Sequence, residues 1–478
     1  MKTSGNLNRE AGILMPVSML NGPHGIGDFG ECARHFLRST AKAGFAIWQL
    51  LPLNPLGYGN SPYQPYSSFA GDEIYISLDE LTKEGLIGEV PHFNAMNHHI
   101  DYEGVRQFKE KYLREAFAHF KEDEDYAAFI KRAFWLDDYA KFMTLKKANG
   151  NKQWNEWTTF DVDDNEVAYI KFLQFIFDKQ WAALKDYAHA LHLQVMGDMP
   201  IYVGLDSADV YSHKECFLLD QNDKPTAVAG VPPDYFSEDG QLWGNPLYDW
   251  DYLKDHGYSF WMERLSWNKD LFDIVRIDHF RAFDTYWKVP AGETTAKNGQ
   301  WILGPAYDFF DAVFAKFPDL NVVAEDLGDL RKEVLELKDH YHMLGMRIVE
   351  YSFGPDEEKH NFVLPAFAIA YTGTHDNAPV NGWYHDLPKN ERRRLRKIMS
   401  HYPYHGDMAN KLVRFTLDSP CVKAIIPMFD LLGLGNEARI NTPGTIGEPN
   451  WCYKLNTLDA YDRKIHRIHL LLEKSQRI

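Results

Sequence analysis

Three acidic residues, Asp278, Glu325 and Asp376, each lie within a few residues of the end of a short apolar run. Two carboxyl groups suffice to cleave a glycosidic bond, one as nucleophile and one as acid/base, and a third can hold sugar hydroxyl groups. A cluster of carboxylates could also bind a divalent cation. Because Arg276 places a positive charge beside Asp278, the sequence favours glycosidic chemistry over a metal site.

Arg276 and Asp278 stand two positions apart, so both side chains point to the same face while a strand persists. A guanidinium beside a carboxylate favours the ionised form, and we therefore expect a lowered pKa for Asp278. An ionised carboxylate is what a nucleophile requires. An ordinary buried Arg–Asp pair would show the same spacing.

Glu325 comes directly after an apolar run, at the point where a strand would end. Partial loss of solvent there should raise its pKa toward the value that a general acid needs. A helix start is the alternative interpretation of this segment, and for Asp326 we prefer it: the residue is predicted to cap the next helix.

Residues 372–377 carry the third acidic residue in a polar segment with Thr374, His375 and Asn377 around it. These side chains offer donors and acceptors that suit vicinal hydroxyl groups. A turn at Gly373 would account for the same composition. The sequence contains no Ser or Cys nucleophile elbow, no dinucleotide-binding motif after a strand and no P-loop.

Eight short apolar runs recur along the chain, separated by segments of helical pattern. Continuous apolar runs of this length are typical of strands buried on both faces. Eight of them predict a (β/α)₈ barrel, an α/β fold whose catalytic residues lie at the carboxyl ends of the strands. The runs are 12–15, 46–50, 193–196, 272–275, 322–324, 346–349, 367–370 and 424–427.

Two stretches are longer than a barrel connection requires. Residues 72–190 show helical periodicity and are interpreted as a mainly helical insertion that includes one barrel helix. Residues 204–255 are rich in Gly, Pro, Asp and aromatic residues and are interpreted as loop. We expect residues 1–478 to form one catalytic barrel domain that carries both insertions.

The composition excludes several classes of protein. With 51 Lys and Arg against 68 Asp and Glu, the net charge of −17 argues against a nucleic-acid partner. No run approaches the ~18 apolar residues of a membrane span. The N-terminus makes a poor signal peptide, and the four cysteines show neither metal-ligand nor disulfide spacing. These features predict a cytoplasmic protein with free thiols.

Several segments, taken in order, resemble the 4-α-glucanotransferases, or amylomaltases, of glycoside hydrolase family 77. The resemblance runs nearly from end to end and includes Arg-Ile-Asp-His-Phe-Arg at 276–281 and Thr-His-Asp-Asn at 374–377. Position 429 departs from the pattern, with Phe429 where Gln is expected, and Glu350 stands where the family often has Gln. The other matching segments are 22–28, 48–53, 57–63, 198–203, 230–237, 241–246 and 324–328.

The resemblance implies a role for each matching residue. Asp278 corresponds to the nucleophile, Glu325 to the acid/base and Asp376 to the carboxylate that holds sugar hydroxyl groups. The remaining residues implied to bind or orient the sugar are Arg276, His375, Asp198 and Asn377, with Tyr58 and Trp243 as acceptor-side aromatic contacts. Packing beneath a lid is the alternative role for the two aromatic residues.

The resemblance further implies maltooligosaccharides and α-1,4-glucans as substrates, with no cofactor and no metal. A retaining mechanism would place the carboxyl groups of Asp278 and Glu325 about 5–5.5 Å apart. The loop at 229–240, stiffened by Pro232 and Pro233, is the candidate for excluding water, with Tyr235 and Phe236 over the sugar. The alternatives are a hydrolase on the same barrel and an inactive glucan-binding protein.

Overall fold

The computed structural model describes residues 9–233, 237–353 and 364–478, except for the side chain of Tyr58. Eight parallel strands close into a barrel in the order β1-β12-β11-β10-β9-β6-β3-β2. Their bounds are Glu10–Leu14 (β1), Ile47–Gln49 (β2), Gln194–Met199 (β3), Ile274–Ile277 (β6), Val322–Ala324 (β9), Leu344–Ile348 (β10), Ala368–Tyr371 (β11) and Lys423–Pro427 (β12).

Each barrel strand overlaps one of the eight apolar runs, so the predicted (β/α)₈ fold is confirmed. Every residue of β6, β9 and β11 is buried, because helices cover the outside of the barrel while side chains fill its interior. β1 pairs with both β2 and β12, and this last pairing closes the ring.

Helices occupy most of the connections between barrel strands. Within residues 72–190 the structure forms five helices between Leu78 and Ala190, in agreement with the predicted helical pattern. Gln174 and Gln180 of the long helix Asp164–Ala190 exchange hydrogen bonds with the main chain of Gly71 and Ser77, which holds this helix against the loop after β2.

The first nine helices are Glu31–Ala43 (α1), Leu78–Lys83 (α2), Tyr102–His119 (α3), Glu124–Arg132 (α4), Leu136–Ala148 (α5), Asp164–Ala190 (α6), Ala208–Ser212 (α7), Trp250–Asp255 (α8) and Ser259–Leu271 (α9). The remaining ones are Ala306–Lys316 (α10), Lys332–His340 (α11), Val380–Asp386 (α12), Lys389–Met399 (α13), Met408–Asp418 (α14), Met428–Leu432 (α15), Asp459–Asp462 (α16) and Ile465–Lys474 (α17). Short 3₁₀ turns include Tyr58–Asn60, Phe280–Phe283 and Val349–Phe353.

A second sheet of four antiparallel strands stands apart from the barrel, in the order β5-β4-β7-β8. Its strands are Ala227–Val231 (β4), Gln241–Pro246 (β5), Thr285–Pro290 (β7) and Gln300–Leu303 (β8). The interpretation of residues 204–255 as loop is therefore wrong for β4 and β5. β4 and β5 pair with each other, and β4 also pairs with β7, which is distant in sequence; the Gly and Pro residues within β4 and β5 hide the strand pattern.

The described residues contain no helix with the length and apolar character that a membrane crossing requires. All four cysteines are unpaired, as predicted: Cys216, Cys421 and Cys452 are buried and Cys32 is partly exposed.

Candidate active site

Asp278 is the first residue beyond β6, at the carboxyl end of the barrel. Its main-chain N–H donates to the carbonyl of Met199 at 3.0 Å, so the chain still follows the neighbouring strand where the side chain emerges. Nη1 of Arg276 lies 3.0 Å from Oδ1 of Asp278, as the two-residue spacing predicts. The Asp278 side chain is 28% exposed, whereas that of Arg276 is almost fully buried.

Burial, and not Arg276, decides the protonation behaviour of Asp278. Loss of bulk solvent raises its pKa from 3.8 to about 6, and the nearby Arg276 only opposes this shift. The expectation of a lowered pKa is therefore wrong in sign, because the desolvation of the carboxyl outweighs the attraction of the guanidinium. At neutral pH Asp278 still carries a negative charge.

Glu325 follows β9 directly, and its carboxyl group faces the same end of the barrel. Its Oε2 accepts from the main-chain N–H of His279 at 2.8 Å, and its Oε1 accepts from that of Leu327 at 3.0 Å. Burial first and repulsion from Asp278 second raise the pKa of Glu325 to about 8. The predicted upward shift is confirmed, and Glu325 holds a proton at neutral pH.

Asp326 does not cap a helix. The next helix, α11, begins at Lys332, and Asp326 instead accepts from the main-chain N–H of Met346 at 2.6 Å and from Arg347 at 3.1 Å. The prediction of an N-cap is wrong because the carboxylate is buried between β9 and β10, where these donors satisfy it.

Asp198, at the end of β3, is the buried anchor of the arrangement. Oδ1 of Asp198 accepts from Nη1 of Arg276 at 2.6 Å, and its Oδ2 accepts from the hydroxyl of Tyr63 at 2.6 Å. The same Arg276 nitrogen contacts Asp278. The guanidinium is thus held between a buried carboxylate and the exposed one, which fixes the direction of the Asp278 side chain.

Asp376 lies beyond β11 and is nearly half exposed, with 45% of its side chain open to solvent. Its Oδ1 accepts from Nδ2 of Asn441 at 2.7 Å, and its Oδ2 lies 3.4 Å from Nε2 of His375. The His375 ring stacks on Tyr63 with centroids 5.1 Å apart and planes 14° apart. Tyr63 contacts both Asp198 and His375, and it therefore links the carboxyl end of β3 to the carboxyl end of β11.

Asn377 is buried, and its amide is used within the chain. Its oxygen accepts from both the main-chain N–H and the hydroxyl of Thr374, and its nitrogen donates to the hydroxyl of Tyr351 at 3.2 Å. These contacts form a turn at residues 374–377, which agrees with the turn that the sequence analysis gave as the alternative interpretation of this segment. Asn377 therefore shapes the segment that presents Asp376.

Trp243 lies on β5, half-buried, and its ring packs edge-on against His279 with centroids 4.8 Å apart. Because the main-chain N–H of His279 also donates to Glu325, the second sheet contacts the segment that follows Asp278 and bonds the carboxyl group of Glu325. The side chain of Tyr58 and the residues Tyr235 and Phe236 lie outside the described part of the chain, so their predicted contacts stay predictions.

The candidate metal ligands lie elsewhere. In residues 9–233, 237–353 and 364–478, the only group of three whose ligand atoms lie within 4.8 Å of one another is His99, Glu448 and Cys452. None of the three acidic residues predicted for chemistry belongs to it. The groups that contact them include Arg276 beside Asp278, the main-chain N–H of His279 at Glu325 and the side-chain amide of Asn441 at Asp376.

The family model described as 4-alpha-glucanotransferase, in glycoside hydrolase family 77, matches residues 15–459 of the chain. The chain belongs to this family. It is 40% identical to the 4-alpha-glucanotransferase of Thermus thermophilus, covering 99% of the chain and 100% of the relative. It is 38% identical to that of Streptococcus pneumoniae over 94% of the chain and 93% of the relative.

The amylomaltases among solved structures share the fold. The amylomaltase of Streptococcus agalactiae, solved in complex with acarbose, superimposes with a TM-score of 0.91 at 32% identity, covering 98% of this chain and 99% of that one. The amylomaltase of Corynebacterium glutamicum gives a TM-score of 0.80 at 18% identity, covering 98% and 75%. The resemblance stated from the sequence is thereby confirmed.

Sequence reasoning missed Tyr63, Arg439 and Asn441 as site residues. Tyr63 ends the segment 57–63 that carries part of the family resemblance, and this was the available signal. Arg439 donates from Nη2 to the carbonyl of Asp376 at 3.0 Å, and Asn441 holds its carboxylate. Both residues follow β12 in a segment without regular secondary structure, and no hydrophobic periodicity in the sequence distinguishes them.

Proposed function

We propose that this member of the 4-alpha-glucanotransferase family transfers a segment of an α-1,4-glucan to the 4-hydroxyl of an acceptor glucan or glucose by a retaining double displacement. The observation that carries the proposal is that Asp278 and Glu325 stand at the carboxyl ends of the paired strands β6 and β9, where Arg276 contacts Asp278 and the main-chain N–H of His279 bonds Glu325. At neutral pH Asp278 is ionised and Glu325 is protonated, because their pKa values are about 6 and about 8. These are the two states that a nucleophile and a general acid require.

In the first half-reaction, Glu325 gives its proton to the glycosidic oxygen while an oxygen of Asp278 attacks C1 of the sugar. The C1–O bond of the donor breaks, and the reducing-end fragment leaves as an alcohol. The products are a glycosyl ester on Asp278 and an ionised Glu325. Arg276, 3.0 Å from Asp278, orients the attacking carboxylate.

In the second half-reaction, ionised Glu325 takes the proton of the acceptor 4-hydroxyl, whose oxygen attacks C1 and releases Asp278. Two inversions restore the original configuration at C1, and both carboxyl groups return to their starting states. Asp376 is proposed to hold sugar hydroxyl groups in both steps. Asn441 bonds Oδ1 of Asp376, while Oδ2 of Asp376 faces His375, which is also predicted to contact the sugar.

A hydrolase on the same barrel is the competing function, since water could replace the acceptor. Incubation with maltotriose separates the two: transfer yields glucose together with longer chains, whereas hydrolysis yields shorter chains alone. An inactive glucan-binding protein would leave maltotriose unchanged. We expect the ladder of longer chains, and its absence would contradict the proposal.

The two carboxyl roles are tested by substituting each residue in turn. Glu325→Ala should react very slowly with natural glucans but should still accept a glycosyl fluoride, whose leaving group needs little acid assistance. The glycosyl ester should then accumulate on Asp278, visible by mass spectrometry. Asp278→Ala should form no adduct with either donor, and exposed Glu336→Ala is the matched carboxyl control. An adduct in Asp278→Ala would show that the roles are misassigned.

We further propose that α-1,4-glucans and maltooligosaccharides are the substrates, that the protein works in the cytoplasm, and that residues 1–478 act as one catalytic barrel domain. The net charge of −17 supports a neutral ligand over a polyanion. Fractionation of the native host, followed by immunodetection, tests the location.

A further inference from the structure

His99, Glu448 and Cys452 bring an imidazole, a carboxylate and a thiol together, and the proposed mechanism uses none of them. One ligand atom of each residue lies within 4.8 Å of the ligand atoms of the other two. Nε2 of His99 is 3.5 Å from Oε1 of Glu448. Two such ligands of a tetrahedral Zn²⁺, each bonded at about 2.0–2.1 Å, stand about 3.3–3.5 Å apart. The histidine and the glutamate therefore already have the separation that such a site requires.

The main chain, and not the three side chains, holds the group together. His99 forms an isolated antiparallel bridge with Tyr453, and the N–H of Ile100 donates to the carbonyl of Cys452 at 2.8 Å. The hydroxyl of Tyr102 donates to the carbonyl of Trp451 at 2.9 Å. Residues 98–102 and 447–453, which are distant in the sequence, thus lie side by side, and His99 and Cys452 are neighbours without any cation.

The burial of the three residues suits a site that a cation enters from solvent. Cys452 is only 2% exposed, and its Sγ contacts the carbonyl of Asn450 at 3.2 Å. The side chain of His99 is 28% exposed and that of Glu448 is 69% exposed. A rotation of the exposed Glu448 side chain is sufficient to bring its carboxylate toward the thiol, because solvent surrounds most of it.

The ligand types decide which cation fits. Thiolate and imidazole ligands favour Zn²⁺, whereas Ca²⁺ and Mg²⁺ prefer oxygen ligands alone. Three protein ligands occupy three corners of a tetrahedron, and water takes the fourth. An ordinary surface ion pair would account for His99 and Glu448, but it does not require a buried thiol within 4.8 Å of both.

We propose that His99, Glu448 and Cys452 bind Zn²⁺, which joins residues 98–102 to residues 447–453. On binding, the Cys452 thiol releases its proton to solvent, and its sulfur bonds the cation in place of the contact with Asn450. His99 supplies a nitrogen of its neutral imidazole, and Glu448 supplies a carboxylate oxygen. No oxidant or reductant is needed. The inference is independent of the proposed function.

The joined segment lies against the candidate active site. The ring of Trp451, the residue before Cys452, lies with its centroid 5.9 Å from that of Tyr63 and 5.9 Å from that of His375. Its main-chain N–H donates to the carbonyl of Ile440 at 2.7 Å. A cation on Cys452 therefore fixes the position of the chain that packs against both site residues, and it stabilises the folded state.

Titration of the reduced, chelator-treated full-length protein with Co²⁺ tests the site, because a thiolate bonded to Co²⁺ gives an ultraviolet charge-transfer band. We expect this band in the wild type and its loss when Zn²⁺ displaces Co²⁺. Cys452→Ser should lack the band. In competition with a chromogenic chelator, His99→Ala should weaken Zn²⁺ binding by about 100-fold or more and Glu448→Gln by about ten-fold or more.

The matched controls change the same residue types elsewhere. Cys421→Ser removes another buried thiol, which donates to the carbonyl of Pro365 at 3.1 Å, and His469→Ala removes the histidine of another His–Glu pair. Both should keep the band and the wild-type affinity. At free Zn²⁺ of about 100 times the Kd, the melting temperature of the 478-residue wild type should rise by about 2–3 °C.

Three outcomes would overturn the inference. The first is a wild type without the charge-transfer band, and the second is a band that persists in Cys452→Ser. The third is an affinity for Zn²⁺ that neither His99→Ala nor Glu448→Gln changes, since binding would then be adventitious and at other histidines. If Cys452→Ser does not fold, these last two variants decide alone, because both change partly exposed side chains.

Discussion

Replacing Glu325 with Gln should stabilise the folded protein, by an amount that increases with pH. The folded chain keeps the Glu325 proton up to a pKa of about 8, whereas the ordinary value is 4.5. Between these values the folded state binds a proton that the unfolded state has released. The free energy of unfolding of the wild type therefore falls as pH rises, and Gln removes this dependence because it has no proton to lose.

The size of the effect follows from the shift. Each pH unit is worth about 1.4 kcal/mol, so between pH 5 and 7 the upper bound is about 2.7 kcal/mol. Partial exposure of Glu325 and its coupling to Asp278 reduce this figure, and we expect about 1–2 kcal/mol. For 478 residues the unfolding entropy is about 1 kcal/mol/K, so the melting temperature should rise by about 1–2 °C.

Thermal unfolding followed by tryptophan fluorescence at pH 5, 6, 7 and 8 measures the difference between Glu325→Gln and the wild type. The matched control is Glu336→Gln on the exposed face of α11, whose difference from the wild type should not change with pH. A Glu325→Gln difference that is the same at pH 5 and pH 8 would refute the argument, because Glu325 would then titrate alike in both states.

Three further outcomes follow from the site. The pH profile of kcat/KM on maltotriose should be bell-shaped, rising through about 6 as the pair formed by Asp278 and Glu325 loses its first proton and falling through about 8 as it loses the second. Dialysis against EDTA should leave the transfer rate unchanged, and an activity loss that calcium restores would count against a metal-free mechanism. Trp243→Ala should raise the KM for a glucose acceptor by up to about ten-fold in initial-rate assays, since an aromatic contact contributes about 0.5–1.5 kcal/mol.

The barrel could be predicted because strands that are buried on both faces consist of continuous apolar residues, which can be recognised in the sequence. Runs such as Val322–Ala324 are continuously apolar, and their ends mark where catalytic residues lie. The strand pair β4 and β5 could not be predicted in this way. β4 and β5 pair with each other, but Gly230, Gly244 and Pro246 interrupt their pattern, and β7, which pairs with the other edge of β4, lies beyond two helices and a barrel strand.

The electrostatic properties of the site were likewise only partly predictable from the sequence. The proximity of Arg276 to Asp278 is visible in the spacing, and it predicts the contact correctly. The sign of the pKa shift depends on a competition between that charge and desolvation, and the sequence does not report how deeply a side chain is enclosed. For Glu325 burial and the charge of Asp278 act in the same direction, which is why its shift was predictable.

Tyr63 offers the sharpest test of the buried support behind the nucleophile. Its hydroxyl donates to Asp198, which holds the Arg276 guanidinium that orients Asp278. Tyr63→Phe keeps the ring that stacks on His375 and removes only the donor. The lost bond to a buried carboxylate is worth about 1.5–3 kcal/mol, an upper bound for the transition state.

We therefore expect kcat/KM on maltotriose to fall by about ten-fold, and by no more than about 150-fold, in Tyr63→Phe. Fluoride release from a glycosyl fluoride should fall by a similar factor, because the defect lies in the attack by Asp278 and not in proton donation by Glu325. Tyr187→Phe, which removes a hydroxyl that accepts from exposed Arg38 at 3.4 Å, is the control. Wild-type rates in Tyr63→Phe with both donors would show that the Asp198–Arg276 pair orients the nucleophile without the tyrosine.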